Sequence, residues 1–425
     1  MITARDMIAS PPLAAGGTMA VSAPFAERIL LTALFVAMAA SSVAFIEPSP
    51  HDGLMMFVAL AGVIAGLKLE RPTLLLMMLL LVWNAAGMVA LTRIASDSKA
   101  IQYAATTFYM SAAAVLFASL VTTHTMTRLA SLRAGYLASA VIAGLAGIAG
   151  HFHLFPGAEM FEEYGGRAMG MFKDPNVYAP YLIWPALFLV GRILTRGFFP
   201  RDLAMLGIIM SGLFLSFSRG AWGHFLFSAA ITVALMVLTA PSIRQRRYIL
   251  MLSIGGMVAV GVLIVLMMVA IPSVHDMFFI RAQAIQDYDV GEGGRFRLQE
   301  LALNALLDYP LGMGPFEFGR KYGLQQHNVY LQAFIVYGWL GGVTYVVMVI
   351  STILIGFRAL LVRTPWQLYL ITAFAAFVGE AAEGFIIDTD HWRHFFLLLG
   401  LVWGLAAATF STSRVPSGAA AVAWR

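Results

Sequence analysis

Long apolar runs follow one another along this chain, and they constrain its fold more than any other feature. A hydrocarbon core about 30 Å thick requires roughly 20 mostly apolar residues per helical span, and the sequence supplies such runs from residue 29 to residue 411. Hydrophobic residues make up 60% of the chain and charged residues only 12%, whereas about a quarter of the residues in soluble domains are charged. The sequence therefore predicts an all-α polytopic membrane protein.

The runs predict about twelve transmembrane helices joined by unequal loops. The predicted spans are residues 29–46, 53–67, 73–91, 101–121, 134–154, 176–191, 203–217, 221–239, 248–271, 328–355, 367–387 and 394–411. The chain is thus divided into a cytoplasmic tail (1–28), transmembrane helices 1–9 (29–271), a long non-cytoplasmic loop with a short amphipathic helix (272–327), transmembrane helices 10–12 (328–411) and a second cytoplasmic tail (412–425).

The basic residues indicate how the chain is oriented. More than half of the 27 Lys and Arg residues fall in the two tails and in alternate short loops, and the positive-inside rule assigns such segments to the cytoplasm. The net charge of +5 therefore reports membrane topology, and it gives no reason to expect a nucleic-acid partner. The other bases lie on the non-cytoplasmic side, where each of them needs a local reason.

Two of these bases precede a predicted helix start in the stretch GGRAMGMFKDPNVYAP. Asp174 and Pro175 are typical of the N-cap and first residue of a helix. Arg167 and Lys173 therefore lie near a helix N-terminus, where the exposed N–H groups and the helix dipole favour an anion. Anchoring of both side chains among lipid headgroups is the alternative.

A third base, Arg219, lies in the stretch SFSRG between two predicted spans. An arginine at membrane depth costs a few kcal/mol or more, so such a residue indicates a functional site by default. A headgroup anchor is again the alternative. Gly220 permits a sharp turn at this point, which places Arg219 at the mouth of a helical hairpin.

The long loop contains the stretch GEGGRFRLQELALNALLDYP, which has a helical pattern. Gly291, Gly293 and Gly294 precede it, and Asp308, Tyr309 and Pro310 end it. Arg295 and Arg297 are two residues apart, so they point about 200° apart on a helix. We expect Arg295, next to the helix N-terminus, to face an anion, and Arg297 to contact headgroups or Glu300.

His327 begins the tenth predicted span, with Asn328 and Tyr330 beside it. A histidine can accept a proton at neutral pH because its ordinary pKa is about 6.5. A lone histidine is more often structural, but cations expected at the same membrane face favour a catalytic role.

Two acidic clusters have open interpretations. Asp388, Asp390, His391 and Arg393 lie between the last two spans, where they could bind a polar acceptor or form a self-contained ion network. Glu380 and Glu383 share a face of the eleventh span and could line a pocket or carry protons.

Several arginines and one histidine on one side of the membrane are suited to a lipid diphosphate. Arginine forks match phosphate oxygens bidentately, and a diphosphate leaves readily once its charge is stabilised. His327 would then deprotonate an acceptor hydroxyl. The chain has no cysteine, which excludes thiolate catalysis and disulfides, and no nucleotide-binding glycine motif occurs in it. The donor must therefore already be activated.

Four stretches within residues 160–345 together resemble the O-antigen ligase and polymerase superfamily of bacterial surface-polysaccharide assembly. They are GRAMGMFKDPN, SFSRG, GGRFRLQELALNALLDYPLGMGPF and HNVYLQAFIVYGWLGG. The resemblance implies a GT-C-like fold with a periplasmic cap and an active site that faces the periplasm from the inner membrane. It also implies an inverting transfer from an undecaprenyl-diphosphate-linked oligosaccharide, without a metal or other cofactor. It assigns Arg167, Arg219 and Arg295 to the diphosphate and glycan, and His327 to the acceptor. Lys173 and Asn328 are further candidates for substrate binding.

The resemblance leaves the acceptor open. A ligase transfers the glycan to a lipid A core, a polymerase transfers it to another lipid-linked repeat unit, and a protein oligosaccharyltransferase transfers it to a Ser or Thr side chain. Chain-length regulators or assembly proteins and membrane lipids are the other partners it implies. The alternative function is a transporter of a lipid-linked or anionic solute. Glu380 and Glu383, which lie inside a predicted span, favour this alternative. A transporter would, however, be expected to carry polar residues through the full depth of the bundle.

Overall fold

The structure is a computed structural model of the chain, and it describes residues 25–163, 165–281, 283 and 294–413. Most of the first predicted tail, the end of the second tail, and Gly291 and Gly293 lie outside the described residues. The described part is almost entirely helical, which confirms the all-α prediction.

Helices follow one another through the whole described chain. They are α1 (Phe25–Ala39), α2 (Pro50–Ile64), α3 (Arg71–Leu91), α4 (Ser98–Thr122), α5 (Thr125–His151), α6 (Pro175–Tyr181), α7 (Ile183–Arg196), α8 (Pro200–Leu215), α9 (Arg219–Thr239), α10 (Ile243–Ala270), α11 (Pro272–Arg281), α12 (Arg295–Asp308), α13 (Glu317–Tyr322), α14 (Val329–Leu360), α15 (Gln367–Glu383) and α16 (Arg393–Ser413). Short 3₁₀ turns occur at Thr92–Ile94 and Ala158–Phe161. A two-residue hairpin pairs β1 (Glu162–Glu163) antiparallel with β2 (Arg167–Ala168).

Each predicted span overlaps a helix or helix pair, and eight helical segments of the described chain are long and apolar enough to cross a membrane. The helices α1, α2, α8 and α15 are shorter, with 15 to 17 residues. Their length matches roughly 22 to 26 Å of bilayer at 1.5 Å per residue, slightly less than the hydrocarbon core.

The sixth predicted span, residues 176–191, lies within the candidate membrane span Pro175–Arg196, whose helix is interrupted once. The helices α6 and α7 meet at Leu182. Pro185 has no N–H group and its ring crowds the carbonyl four residues earlier. That carbonyl belongs to Tyr181, and it accepts a hydrogen bond from the Tyr136 hydroxyl at 3.0 Å instead.

The helices run up and down, so that their loops collect at two ends of the bundle. We call the end that carries α11, α12 and α13 the cap end. At the other end, Arg128 donates two hydrogen bonds to the buried Glu27 carboxylate at 2.8 and 2.7 Å. This pair joins α5 to α1, because charges removed from water need a partner with good geometry.

The helices differ widely in how much protein surrounds them. About 83% of the apolar core of α16 is buried, because α16 packs on α3, α4, α14 and α15. Only 6% of the corresponding part of α10 is buried. The helix α16 therefore forms the centre of the bundle, and α10 lies at its edge.

The described part of the cap contains three helices where the sequence predicted one. The helix α12 lies in the predicted stretch and packs through Leu298, Ala302 and Ala305 against Ile335 at the start of α14, with Met313 and Phe318 completing this small core. The opposite face of α12 exposes Phe296, Leu303 and Leu307. The helices α11 and α13 lie on either side of it in sequence and were not predicted, since each is too short for a clear periodic signal.

A backbone contact fixes the cap to α14. Gly338 breaks α14 with φ 69°, a conformation that favours glycine. A Cβ on Gly338 would lie 2.6 Å from the Pro310 carbonyl oxygen, and the Trp339 N–H donates to that same oxygen at 2.9 Å. The Met313 N–H donates to the Ile335 carbonyl oxygen at 2.7 Å. The cap chain thus satisfies backbone groups that the break in α14 leaves without helical partners.

Candidate functional site

His327 lies at the cap end, directly before α14, with φ 49°. The next residue, Asn328, is the N-cap of α14, and its side-chain oxygen accepts from the Tyr330 and Leu331 N–H groups. The Asn328 N–H donates to Asp388 Oδ1 at 2.9 Å, and its side-chain amide donates to the Phe385 carbonyl. Asn328 therefore fixes the turn that carries His327, and its side chain makes its hydrogen bonds to the protein backbone.

Charged groups from three separate segments surround the His327 imidazole. Its Nδ1 lies 3.8 Å from Asp388 Oδ2, and 43% of the side chain is exposed. Burial lowers the pKa of His327, the nearby cation of Arg295 lowers it further, and Asp174 opposes them. The ring is therefore neutral at pH 7 and can accept a proton.

Among the described residues, Asp388 is the acid closest to this imidazole. Burial, together with the charge of Asp390, raises the pKa of Asp388 to about 7, while the Asn328 N–H and Arg295 oppose the rise. A carboxyl group whose charge is costly in the folded state is typical of functional sites. Its position beside His327 suits it to stabilise an imidazolium.

Arg167 lies in β2 and is 6% exposed. Its guanidinium donates to Glu163, to the Ser216 carbonyl oxygen and to the Asn176 side chain, each at 2.9 or 3.0 Å. Burial lowers the pKa of Arg167, and the cation of Arg281 also lowers it. Arginine nevertheless stays charged at any physiological pH, so Arg167 brings a fixed positive charge into the interior of the cap end.

Arg219 opens α9, after the N-cap Ser218. Its guanidinium donates to the Gln283 carbonyl oxygen at 2.6 Å, two residues after Arg281. The Ser218 hydroxyl donates to the Asn176 side-chain oxygen at 2.9 Å, and that same oxygen accepts from Arg167. The turn before α9 and the hairpin strand β2 are therefore joined through one asparagine.

These contacts bring separate parts of the chain to one place. Asp174 acts electrostatically on both His327 and Arg167, and Arg295 acts on both His327 and Asp388. Arg281 belongs to the same group and was missed by the sequence interpretation. It is a base on the non-cytoplasmic side of the predicted topology, and that position alone could have singled it out.

The other predicted site residues have partners elsewhere. Lys173 pairs with Glu47 at 2.8 Å, with both side chains about half exposed. Arg297 donates to Glu300 at 2.7 Å. Arg393 makes a bidentate pair with Asp52 of α2 at 2.9 and 2.8 Å.

The remaining members of the last loop contact α4. Asp390 accepts from the Tyr103 hydroxyl at 2.6 Å, and the His391 Nε2 lies 3.1 Å from the Thr107 hydroxyl. Of the acidic cluster predicted there, Asp388 faces His327, whereas Asp390, His391 and Arg393 connect the loop to α2 and α4.

Glu380 and Glu383 pair with histidines that the sequence interpretation did not connect with them. Glu383 Oε2 lies 2.8 Å from His224 Nδ1, and both side chains are almost fully buried. Glu380 lies 3.3 Å from His394 Nε2. A Cβ on Gly220 would lie 2.8 Å from Glu383 Oε1, so the first of these pairs packs directly against the turn that carries Arg219.

Comparison with known families gives one finding. A family model described as O-antigen ligase matches residues 204–346, which extend from α8 into α14 and include Arg219, Arg281, Arg295 and His327. Arg167, Asp174 and Asp388 lie outside the matched range. No curated protein matches the chain.

Proposed function

We propose that this chain belongs to the O-antigen ligase and polymerase superfamily and is a periplasm-facing glycosyltransferase of the bacterial inner membrane. The match of residues 204–346 to an O-antigen ligase family model supports the proposal. The protein transfers a glycan from an undecaprenyl-diphosphate carrier to an acceptor hydroxyl, with inversion at the anomeric carbon. The observation that carries this proposal is the cation of Arg295 acting on His327 at the cap end, with Asp174 acting on both His327 and Arg167. Arg219 follows Ser218, which shares the Asn176 side-chain oxygen with Arg167.

The arginines bind the diphosphate. Arg167, Arg219 and Arg295 come from β2, α9 and α12, and Arg281 adds a fourth cation at the end of α11. Guanidinium groups bind phosphate oxygens through paired, charge-assisted hydrogen bonds. They also stabilise the negative charge that develops on the leaving diphosphate as its bond to the sugar breaks.

His327 acts as the general base. Its neutral imidazole takes the proton of the acceptor hydroxyl while the acceptor oxygen bonds to the anomeric carbon from the face opposite the diphosphate. The bond between that carbon and the diphosphate oxygen breaks, and its electron pair leaves with the diphosphate. Asp388, 3.8 Å from the ring, stabilises the imidazolium that results.

The transfer is tested with purified protein in proteoliposomes and an undecaprenyl-diphosphate oligosaccharide. We expect His327→Ala and Arg295→Ala each to reduce product formation at least a hundredfold. The matched controls are His153→Ala, since that side chain is 58% exposed, and Arg297→Ala, since Arg297 pairs with Glu300 on the same helix. Both controls should keep wild-type activity. Wild-type activity in His327→Ala would refute the role of the imidazole.

The acceptor is identified in the same assay by competition. A core lipid acceptor and a second lipid-linked repeat unit are offered together at equal concentration. A single transfer to the core lipid marks a ligase, whereas a ladder of products one repeat unit apart marks a polymerase. Transfer to neither acceptor by the wild-type protein would contradict the proposed activity.

A further inference from the structure

A basic pocket lies at the cap end, outside the group of residues around His327. Its volume is about 440 Å³. It is lined by Arg93, Ile94, Tyr309, Met313, Glu317, Arg320 and Lys321. Arg295 begins α12 and Tyr309 follows its last residue, so a helix of 14 residues, about 20 Å long at 1.5 Å per residue, separates the pocket from the His327 site.

The charges around this pocket do not balance. Arg320 pairs with both Asp97 and Glu317. Arg93 and Lys321 have neutral partners in the described part of the chain: the Arg93 guanidinium donates to the Gly312 carbonyl oxygen at 3.3 Å, and the Lys321 ammonium to the Tyr309 hydroxyl at 3.2 Å. Hydrogen bonds to Tyr309 and Tyr322 raise the pKa of Lys321, so it is charged at neutral pH. Three cations and two acids therefore leave a net charge of +1 among these residues, and the two cations with neutral partners, Arg93 and Lys321, can turn to a ligand.

The pocket is also preformed and partly aromatic. The Lys321 ammonium lies 5.3 Å from the centre of the Tyr309 ring and 5.2 Å from that of Tyr322, which limits the freedom of its side chain. The wall formed by Tyr309 and Met313 flanks the segment that hydrogen-bonds to the break in α14. A lysine already held against two rings loses less conformational entropy when a ligand binds.

We propose that this pocket binds an acidic group, a uronate carboxylate or a phosphate, on the oligosaccharide at a position several sugars from the reacting end. The proposal rests on the proposed function, because it assigns the pocket to the glycan whose other end lies at His327. Arg93 offers a planar fork to the acidic oxygens and Lys321 a point charge. Tyr309 offers an aromatic ring beside them. The pocket thus selects acidic repeat units over neutral ones.

The first experiment measures binding without turnover. A fluorescent, carrier-free oligosaccharide containing glucuronate is titrated into the protein in phosphatidylcholine nanodiscs, beside its carboxyl-reduced counterpart and a phosphorylated one. The double variant Arg93→Gln/Lys321→Gln is compared with Lys68→Gln/Arg71→Gln, which removes two exposed cations at the opposite end of α3. We expect the first variant to weaken binding of both acidic probes at least tenfold and the control pair to leave it unchanged.

Each outcome decides the proposal. Equal binding of acidic probes by the wild type and by Arg93→Gln/Lys321→Gln would overturn it. Equal wild-type affinity for the acidic and carboxyl-reduced probes would also overturn it. Phosphatidylglycerol is then added to the nanodiscs: loss of probe binding as this lipid increases would assign the pocket to lipid headgroups and refute a glycan site.

A transfer assay separates this inference from the proposed function. With acidic donor, the variant should raise KM at least tenfold and leave kcat within twofold, since the pocket is remote from the reacting bond. Failure of the wild type to transfer any glycan would count against the proposed function alone, because the binding titration does not depend on turnover.

Discussion

Replacing Asp388 with asparagine should stabilise the folded chain at alkaline pH while it slows glycan transfer. The folded-state pKa of Asp388 is about 7, compared with an ordinary value of 3.8. A raised carboxyl pKa means that the folded state favours the protonated form. The contribution of this group to stability is therefore fully present below pH 3.8 and is lost as the pH rises through 7.

The size of the stability difference follows from the pKa difference between folded and unfolded Asp388. A difference of about 3 pKa units, at 1.36 kcal/mol per unit, corresponds to about 4 kcal/mol. Asparagine carries no charge, and its side-chain oxygen can still accept the Asn328 N–H that now reaches Asp388 at 2.9 Å. Asp388→Asn should therefore have a free energy of unfolding up to about 4 kcal/mol above wild type at pH 8, and a value close to wild type at pH 4.

The assay is unfolding in lipid nanodiscs, followed by circular dichroism between pH 4 and pH 8, with transfer activity measured in parallel. The control is Asp276→Asn, since the Asp276 side chain is 74% exposed and should show no such pH-dependent gain. A stability difference between Asp388→Asn and wild type that does not grow with pH would refute the buried-charge argument. Unchanged transfer activity would remove Asp388 from the proposed mechanism.

Three further substitutions test other parts of the structure. Gly338→Ala should destabilise the attachment of the cap by about 2 to 5 kcal/mol, because it strains the backbone and two hydrogen bonds. Faster amide hydrogen exchange in α12 would report this loss. The control Gly256→Ala should leave the exchange unchanged, because Gly256 has open space around it. Arg295→Gln removes a cation that lowers the pKa of His327, so the acid limb of the residual kcat/KM profile should move to higher pH, and an unmoved limb would contradict their coupling. Arg219→Lys should reduce transfer at least tenfold, because an ammonium cannot replace a bidentate fork; wild-type activity would identify Arg219 as a simple anchor.

The helices could be predicted from the sequence because the signal for them is local. Apolar runs of sufficient length mark the spans, and Pro185 contained the information needed to break the sixth one. The break in α14 was not predictable in the same way, because Gly338 is explained by its contact with the Pro310–Gly312 segment of the cap. A contact between backbones distant in sequence leaves no periodic pattern.

The candidate site was predictable in its charges but not in its partners. Bases on the non-cytoplasmic side of the predicted topology drew attention to Arg167, Arg219 and Arg295, because that position disfavours them. The bidentate pair between Arg393 and Asp52 joins residues 341 positions apart, and no local pattern connects them. The amide of Asn328 looked free for a ligand, whereas its hydrogen bonds close the turn before α14.

The exposed helix α10 determines how this protein must be handled. Only 6% of its apolar core is buried inside the protein, so acyl chains supply most of the remaining van der Waals contacts of α10 in a bilayer. The segment that leads to Arg281 continues directly from its end. Removal of lipid would therefore loosen α10 first. A preparation whose circular dichroism still shows full helical content could already have lost the native position of Arg281.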